Sequence, residues 1–174
     1  GFRAASHKEI VQAALENIAE TLPNNQRYRD TKNSIDNDAF HINNSAVDNL
    51  MAIWKTLSDD DVRTALVQAL GELATEPRNA EREEPEESLG EKELIKKLAS
   101  KNGLAVEHHP ASRFAWHKLD DENADLYVDG GMLCTTPALA KAICHGSITA
   151  AVCNSEYDRE LVLALLNQGS LLIS

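Results

Sequence analysis

The chain has 174 residues, with 28 Asp and Glu against 17 Lys and Arg, which gives a formal net charge of −11. Such an excess of negative charge argues against binding to the phosphate backbone of nucleic acids unless the basic residues are segregated. The sequence contains no long uninterrupted apolar run and no secretory signal pattern, so we expect neither a membrane span nor a membrane partner.

The N-terminal segment is predicted to be helical. Ser6 to Glu9 has the pattern of a capping box, in which the Ser and Glu side chains bond each other's backbone N–H groups. An apolar repeat at three- and four-residue steps follows and predicts one inward face, formed by Val11, Ala14, Leu15, Ile18 and Leu22. Pro23 is expected to end this helix, and residues 23–43 are predicted to form an ordered crossing loop.

Two further amphipathic helices follow this loop. One begins at Ser45 and the other at Ser58, where Asp59 to Asp61 favour the positive end of the helix dipole. Their apolar stripes are Val47, Leu50, Met51, Trp54 and Leu57 in the first, and Val62, Ala65, Leu66, Ala69, Leu70 and Leu73 in the second. Because these stripes are wide for so small a domain, we predict a homodimer. The candidate dimer-interface residues are Trp54, Leu66, Leu70 and Leu73.

A charge-dense segment with Pro77 and Pro85 then predicts a solvated linker and a domain boundary. Beyond it, a short helix over Glu91–Lys101 is predicted to turn Leu94, Ile95 and Leu98 inward. Two strands are expected next, Leu104–Val106 and Arg113–Trp116, separated by a turn at Pro110.

The last fifty residues predict a strand, a tight turn, a strand, two helices and a final strand. Asp129-Gly130-Gly131 is the hairpin signal, and Thr136-Pro137 begins a helix that ends at Gly146. The second helix is predicted over Tyr157–Gln168, with Leu161, Val162 and Leu165 inward and Gly169 as its stop; Ser170–Ile173 is expected to pair back on the hairpin. The expected fold class is mainly α with a small β-sheet (α+β): a helical dimerisation bundle followed by a winged helix.

The polar residues do not form a recognisable active-site motif. His7-x-Glu9 has the spacing of half an iron site but lies inside the capping box, and His108-His109 lies in a predicted turn. The free cysteines Cys134, Cys144 and Cys153 lie in apolar sequence surroundings without a Cys-x-x-Cys pair, which favours a reducing cytoplasm over a zinc site. We therefore assign no catalytic, cofactor-binding or metal-binding residue.

A winged helix raises the alternative of a stand-alone nucleic-acid-binding or protein-interaction module. The helix before Gly169 would be the recognition helix of a DNA-binding protein. Its start carries Glu156, Asp158 and Glu160 against a single Arg159, which would meet phosphate unfavourably. We therefore do not expect DNA to be a partner.

Several segments, in order, carry a resemblance that spans essentially the whole chain. They are Gly1–Ala4 before the capped helix, Tyr28–Asp30, Thr75–Pro77, Ser112–Trp116, Leu126–Gly130 and Leu166–Gly169. In sequence and spacing the chain resembles the C-terminal half of the bacterial cupin-like JmjC oxygenases. That family consists of Fe(II)- and 2-oxoglutarate-dependent ribosomal oxygenases, of which one hydroxylates an arginine of a large-subunit ribosomal protein.

The resemblance implies a domain organisation and a role. It implies that residues 1–4 end a catalytic barrel, that 5–75 form a helical dimerisation domain, that 76–89 are an acidic linker and that 90–174 form a winged helix. The iron ligands and the residues that hold 2-oxoglutarate would lie upstream of Gly1, so this chain alone would not be catalytic. Fe(II), 2-oxoglutarate and a basic ribosomal-protein substrate are expected of the full-length parent.

Overall fold

The computed structural model describes residues 4–22, 44–77 and 88–174. Contacts within the chain divide it into two compact units, one formed by Ser6–Ala69 and the other mainly by Leu70–Ser174. The loop predicted over residues 23–43 and most of the acidic linker lie outside the described residues. None of the described helices is long and apolar enough to cross a membrane.

The first unit contains helices α1 (His7–Thr21) and α2 (Asn44–Trp54) and the first part of α3 (Asp59–Thr75). The predicted capping box of α1 is confirmed: Ser6 Oγ accepts from Glu9 N at 3.2 Å, and Ser6 N donates to Glu9 Oε2 at 2.7 Å. Ser58 and Asp61 make the same reciprocal bonds at the start of α3. These local side-chain bonds fix where the two helices begin.

The core of this unit is small and is built mainly from alanine. Ala14 and Ile18 of α1 pack with Ala65 and Ala69 of α3, with Ala13, Leu57 and Val62 at the margin. The prediction that α1 also turns Val11, Leu15 and Leu22 inward is wrong, because these side chains are 52%, 43% and 39% exposed. A helix buries only the strip that faces its neighbour, so residues at the edges of a wide apolar stripe stay in solvent.

The second unit is an α+β fold, as predicted. In chain order it contains α4 (Glu91–Leu98), β1 (Leu104–His108), β2 (Phe114–Lys118), β3 (Ala124–Val128), β4 (Gly131–Thr135), α5 (Pro137–His145), β5 (Ser147–Ile148), α6 (Glu156–Asn167) and β6 (Leu171–Ile173). The described strands form two three-stranded antiparallel sheets, in the orders β5-β1-β6 and β2-β3-β4. The single small sheet that the sequence suggested is therefore two sheets.

The final strand does not pair as predicted. β6 lies antiparallel to β1, with Glu107 opposite Leu172 and His108 opposite Leu171, and it does not join the β3–β4 hairpin. Ser170, just before β6, accepts from His109 N at 3.0 Å and donates its hydroxyl to Asp129 Oδ2 at 2.9 Å. β6 therefore begins next to both β1 and the hairpin turn, and it pairs with β1. The hairpin itself is confirmed, since β3 pairs with β4 across a two-residue turn.

The helices of this unit begin and end close to the predicted positions. Thr136 caps α5, whose end is marked by Gly146 at φ 78°, and Gly169 also has a positive φ just after α6. Leu161, Val162 and Leu165 of α6 are buried as predicted. In α4, however, Ile95 is 46% exposed, so only Leu94 and Leu98 of the predicted inward residues reach the core.

The core of the second unit gathers side chains from both sheets and from helices α4, α5 and α6. The fully buried members include Leu94, Leu126, Leu139, Ile143, Ile148, Val162, Leu165 and Leu171. The side-chain amide of Asn167, at the end of α6, bonds the backbone of Leu89 just before α4. It accepts from Leu89 N at 2.8 Å and donates to Leu89 O at 3.2 Å. The entry to α4 is therefore tied to the end of α6.

Candidate functional site

The Ser6–Ala69 unit exposes more large apolar side chains than it buries. Among its described residues, eight large apolar side chains are at least 38% exposed, namely Val11, Leu15, Leu22, Val47, Met51, Ile53, Trp54 and Leu66. Among the described residues, Ile18 is the one member of its buried core that is larger than alanine. So many exposed large apolar side chains make this unit a candidate interaction surface.

The four predicted interface residues differ in their exposure. Trp54, the last residue of α2, and Leu70 of α3 are each 53% exposed, and Leu66 is 38% exposed. Leu73 is only partly exposed. Leu66, Leu70 and Leu73 follow one another at four- and three-residue steps, so they share one face of α3. The structure therefore places three of the four residues on a single helical strip, with Trp54 on α2.

The exposed side of α1 is a second apolar surface, which the sequence interpretation did not separate from the buried face. It forms an open groove of about 610 Å³, and the described residues that line it belong to α1: His7, Lys8, Val11, Gln12, Leu15, Glu16 and Ala19. The apolar residues of α1 form two adjacent strips, one with Ala14 and Ile18 and the other with Val11 and Leu15. The sequence pattern does not distinguish which strip is buried. The alanine at position 14, small enough for close helix packing, was the available signal for the buried face.

A small polar pocket lies between α1 and α3 within the same unit. Its volume is about 120 Å³, and it is lined by Asn17, Ile18, Thr21, Asp61, Thr64, Ala65 and Gln68. The amide nitrogen of Asn17 is buried there and has no hydrogen-bond partner among the described residues. The volume and lining fit ordered water, which satisfies buried polar atoms in most proteins.

The outer face of the β2-β3-β4 sheet is covered at its centre by the end of α3. The Tyr127 ring packs on Gly71 so closely that a Cβ built at this glycine would lie 2.5 Å from three ring carbons. Beside this contact, the hydroxyl oxygen of Thr75 accepts from Gly130 N at 3.1 Å. Burial raises the pKa of Tyr127 well above its usual range, and the nearby Asp125 carboxylate raises it further. The phenol therefore stays neutral and serves as a packing group.

The histidines do not form a metal site in the described part of the chain. His108 lies in β1, where its ring stacks on Phe114 with centroids 4.2 Å apart and its Nε2 lies 3.0 Å from the Ile143 carbonyl oxygen. The Nδ1 of His109 accepts from Ala111 N, and His7 is an exposed residue of α1. Within residues 4–22, 44–77 and 88–174, no three His, Cys, Asp or Glu side chains are placed to hold a metal ion. These residues therefore do not fit a catalytic Fe(II).

The three cysteines are free but differ in environment. Burial raises the pKa of Cys144 to about 11, and burial together with the Asp158 carboxylate raises the pKa of Cys153 to about 11. Both thiols are therefore protonated and unreactive at neutral pH. Cys134, which was expected to be surrounded by apolar residues, is exposed, because it lies on the outer face of the edge strand β4.

The start of α6 carries negative charge, as expected from the sequence. Ser155 and Asp158 form a capping box, and Glu156 lies exposed in the first turn. Arg159, the one Lys or Arg residue of α6, is engaged. Its Nε donates to Glu91 Oε1 at 3.1 Å, and its Nη1 donates to the Asn154 carbonyl at 3.1 Å. The helix that would enter a DNA groove thus offers carboxylates to the phosphates.

The family model of the ROXA-like winged helix matches residues 49–172. The chain belongs to this family. The match begins within α2 and ends in β6, so the ROXA-like winged-helix assignment covers both sheets and helices α3 to α6. No curated protein sequence gives a significant match.

Solved structures of ribosomal oxygenase YcfD from Escherichia coli have the same fold as this ROXA-like winged-helix chain. The complex of YcfD with cobalt and 2-oxoglutarate matches at 18% identity with a TM-score of 0.72, and the complex with cobalt and succinic acid at 17% with a TM-score of 0.71. Each match covers 100% of this chain and 48% of the YcfD chain. The chain therefore spans about half the length of these structures and corresponds to their C-terminal half.

Proposed function

We propose that this chain is the dimerisation and winged-helix region of an Fe(II)- and 2-oxoglutarate-dependent oxygenase that hydroxylates an arginine of a ribosomal protein. The observation that carries the proposal is the fold match over the whole chain to about half of a ribosomal oxygenase. The metal and cosubstrate would be bound by a catalytic barrel preceding this region in the parent protein. A ribosomal substrate would place the parent in the bacterial cytoplasm.

In this proposal the Ser6–Ala69 unit pairs two copies of the protein. Its eight exposed large apolar side chains support a partner that removes them from water. Each 100 Å² of apolar surface that such a contact removes from water would contribute about 2.5 kcal/mol, which offsets the entropy lost on association. Leu66 and Leu70 are central to the proposed contact because they lie one turn apart on α3.

The negative surface supports a basic protein partner rather than a nucleic acid. The net charge of −11 favours encounter with a partner rich in Lys and Arg, mainly by steering its approach. The acidic start of α6 opposes DNA, and Arg159 is already bonded to Glu91. We therefore propose that the winged helix contacts protein and helps to frame the entrance for the substrate.

The dimer is tested by light scattering after size-exclusion chromatography. The wild-type chain is expected to be a dimer, and Leu66→Glu with Leu70→Glu is expected to give folded monomers, because two buried carboxylates would face the partner copy. Leu119→Glu with Leu172→Glu is the matched control, since these side chains are also 53% and 38% exposed but lie in the loop between β2 and β3 and in β6. A double variant that stays dimeric would show that this strip of α3 is not the interface.

The oxygenase role is tested on the parent protein. An antibody raised against this chain is expected to detect a protein about twice its mass in the source cells, as the 48% coverage of YcfD suggests. That protein should add one oxygen atom to a ribosomal protein when given Fe(II) and 2-oxoglutarate, as detected by mass spectrometry of intact ribosomal proteins. A native band at 19.1 kDa would contradict the proposal.

A further inference from the structure

Strand β4 forms one outer edge of the β2-β3-β4 sheet. No other strand pairs with this edge in the described ranges of the chain. The turn at Asp129 and Gly130 has positive φ at both residues, 52° and 84°, which is the two-residue type that places Val128 and Gly131 in a hydrogen-bonded pair. An open strand edge can pair with an added strand through its outward N–H and C=O groups.

The hydrogen-bond alternation of the hairpin determines which backbone groups of β4 face outward. Gly131 bonds back to Val128, so Leu133 and Thr135 also face β3, while the N–H and C=O groups of Met132 and Cys134 point away from it. A separate contact agrees with this assignment, because the Tyr157 hydroxyl donates to the Cys134 carbonyl oxygen at 3.0 Å. The outward groups of Met132 and the N–H of Cys134 remain for a partner strand.

The side chains at this edge indicate the chemistry of the partner. Tyr157 is 55% exposed although its hydroxyl is bonded to β4, so its ring is open to contact, and Met132 is 40% exposed. Glu156 precedes this tyrosine and Glu160 follows it by one helical turn, and both carboxylates belong to exposed residues. An open aromatic ring between two carboxylates suits Arg or Lys side chains, through cation–π and ionic contacts.

The other free strand edges of this unit are less suitable. β6 has only three residues, and β2 ends at Lys118, a cation that would repel a basic partner. β4 has five residues, and the acidic start of α6 lies beside it. Arg159 of α6 is bonded to Glu91.

We propose that the outer edge of β4, with the Tyr157 ring and the Glu156 and Glu160 carboxylates, binds an extended basic peptide segment by strand addition. The backbone of the segment would bond Met132 and Cys134, and alternate Arg or Lys side chains would reach α6. This inference rests on the proposed function in that a basic ribosomal protein is the expected source of such a segment. Beyond the proposed function, the inference specifies the surface that binds the segment and the extended conformation of the bound segment.

The test measures fluorescence anisotropy of a short fluorescein-labelled peptide of alternating Arg and Val, added to the complete chain. Binding is expected to weaken as salt is raised. Met132→Pro is expected to lower the affinity by roughly tenfold, because it removes an outward N–H and shields the edge, whereas Met132→Ala should stay within about threefold of wild type. Proline is tolerated at this position since its nitrogen takes no part in pairing with β3.

Two further comparisons need no change in β4. The same peptide with alternate backbone nitrogens methylated cannot form a strand ladder and is expected to lose binding. Glu156→Gln with Glu160→Gln should weaken binding by about fivefold, as expected for loss of two partly exposed ionic contacts. Glu107→Gln with Glu122→Gln is the charge-matched control, since both residues are exposed and lie in β1 and in the loop between β2 and β3. Equal binding of the methylated peptide, or of a peptide alternating Ser and Val, would refute the proposal.

The outcomes also separate this inference from the proposed function. A dimer that persists without any peptide binding would refute strand addition and leave the dimer standing. Peptide binding by a chain that is monomeric would refute the dimer and support the peptide site. If Met132→Pro alters self-association rather than peptide binding, the edge of β4 pairs with a second copy and the proposed partner is wrong.

Discussion

Replacing Gly71 by alanine tests the close contact between α3 and the β2-β3-β4 sheet. The new Cβ would lie 2.5 Å from Cδ1, Cε1 and Cζ of Tyr127. Ordinary carbon contacts need about 3.5 to 4.0 Å, so the ring or the helix would have to move by roughly 1 Å. Tyr127 is only 2% exposed, which leaves the ring little space into which it can move.

The expected magnitude is a balance of two effects. Overpacking of a filled site costs about 1 to 3 kcal/mol, and Gly to Ala in the interior of a helix gains about 1 kcal/mol of helix propensity. Because Tyr127 is enclosed, we place the clash near the top of that range and expect a net loss of about 1 to 2 kcal/mol. In a Tyr127→Leu background the ring is gone, so Gly71→Ala should instead stabilise the protein by up to about 1 kcal/mol.

The assay is urea unfolding followed by tryptophan fluorescence. The chain has two tryptophans, Trp54 in the first unit and Trp116 in β2 of the second, so a Trp54→Phe background makes the signal report on the unit that contains Tyr127. Gly90→Ala is the control, since a Cβ there meets nothing within 4 Å, and its effect should lie within about 0.5 kcal/mol of zero. The same sign and size of the Gly71→Ala effect in both backgrounds would refute the contact as its cause.

Three other predictions concern the same unit. Asn167→Ala should destabilise it by about 1 to 3 kcal/mol, because both hydrogen bonds to the Leu89 backbone are lost; an unchanged urea midpoint would show that they contribute nothing. In the native chain only Cys134 should react rapidly with a thiol reagent at pH 8, since Cys144 and Cys153 have pKa values raised to about 11 by burial. Because unfolded thiols ionise near pH 9, the unfolded state binds fewer protons between pH 9 and 11, so stability should fall as pH rises through that window, and an unchanged urea midpoint there would contradict it.

The sequence by itself determined the features that depend on neighbours along the chain. Ser6 with Glu9 located the start of α1, Thr136 and Gly146 bounded α5, and Asp129-Gly130 specified the hairpin turn. Each of these signals is a side chain or a backbone conformation that acts within three or four residues. The α+β class followed from the order of these elements.

Only the tertiary structure decided which faces and edges meet. Val11 and Leu15 belong to the same apolar period as Ala14 and Ile18, and the small side chains of α3 selected the alanine face as the buried one. Pairing of β6 with β1 and the fit of Tyr127 against Gly71 join residues far apart in sequence, for which no local rule exists. The outward groups of β4 are likewise a consequence of hairpin register and sheet order, because an edge exists only once every other strand has found its partner.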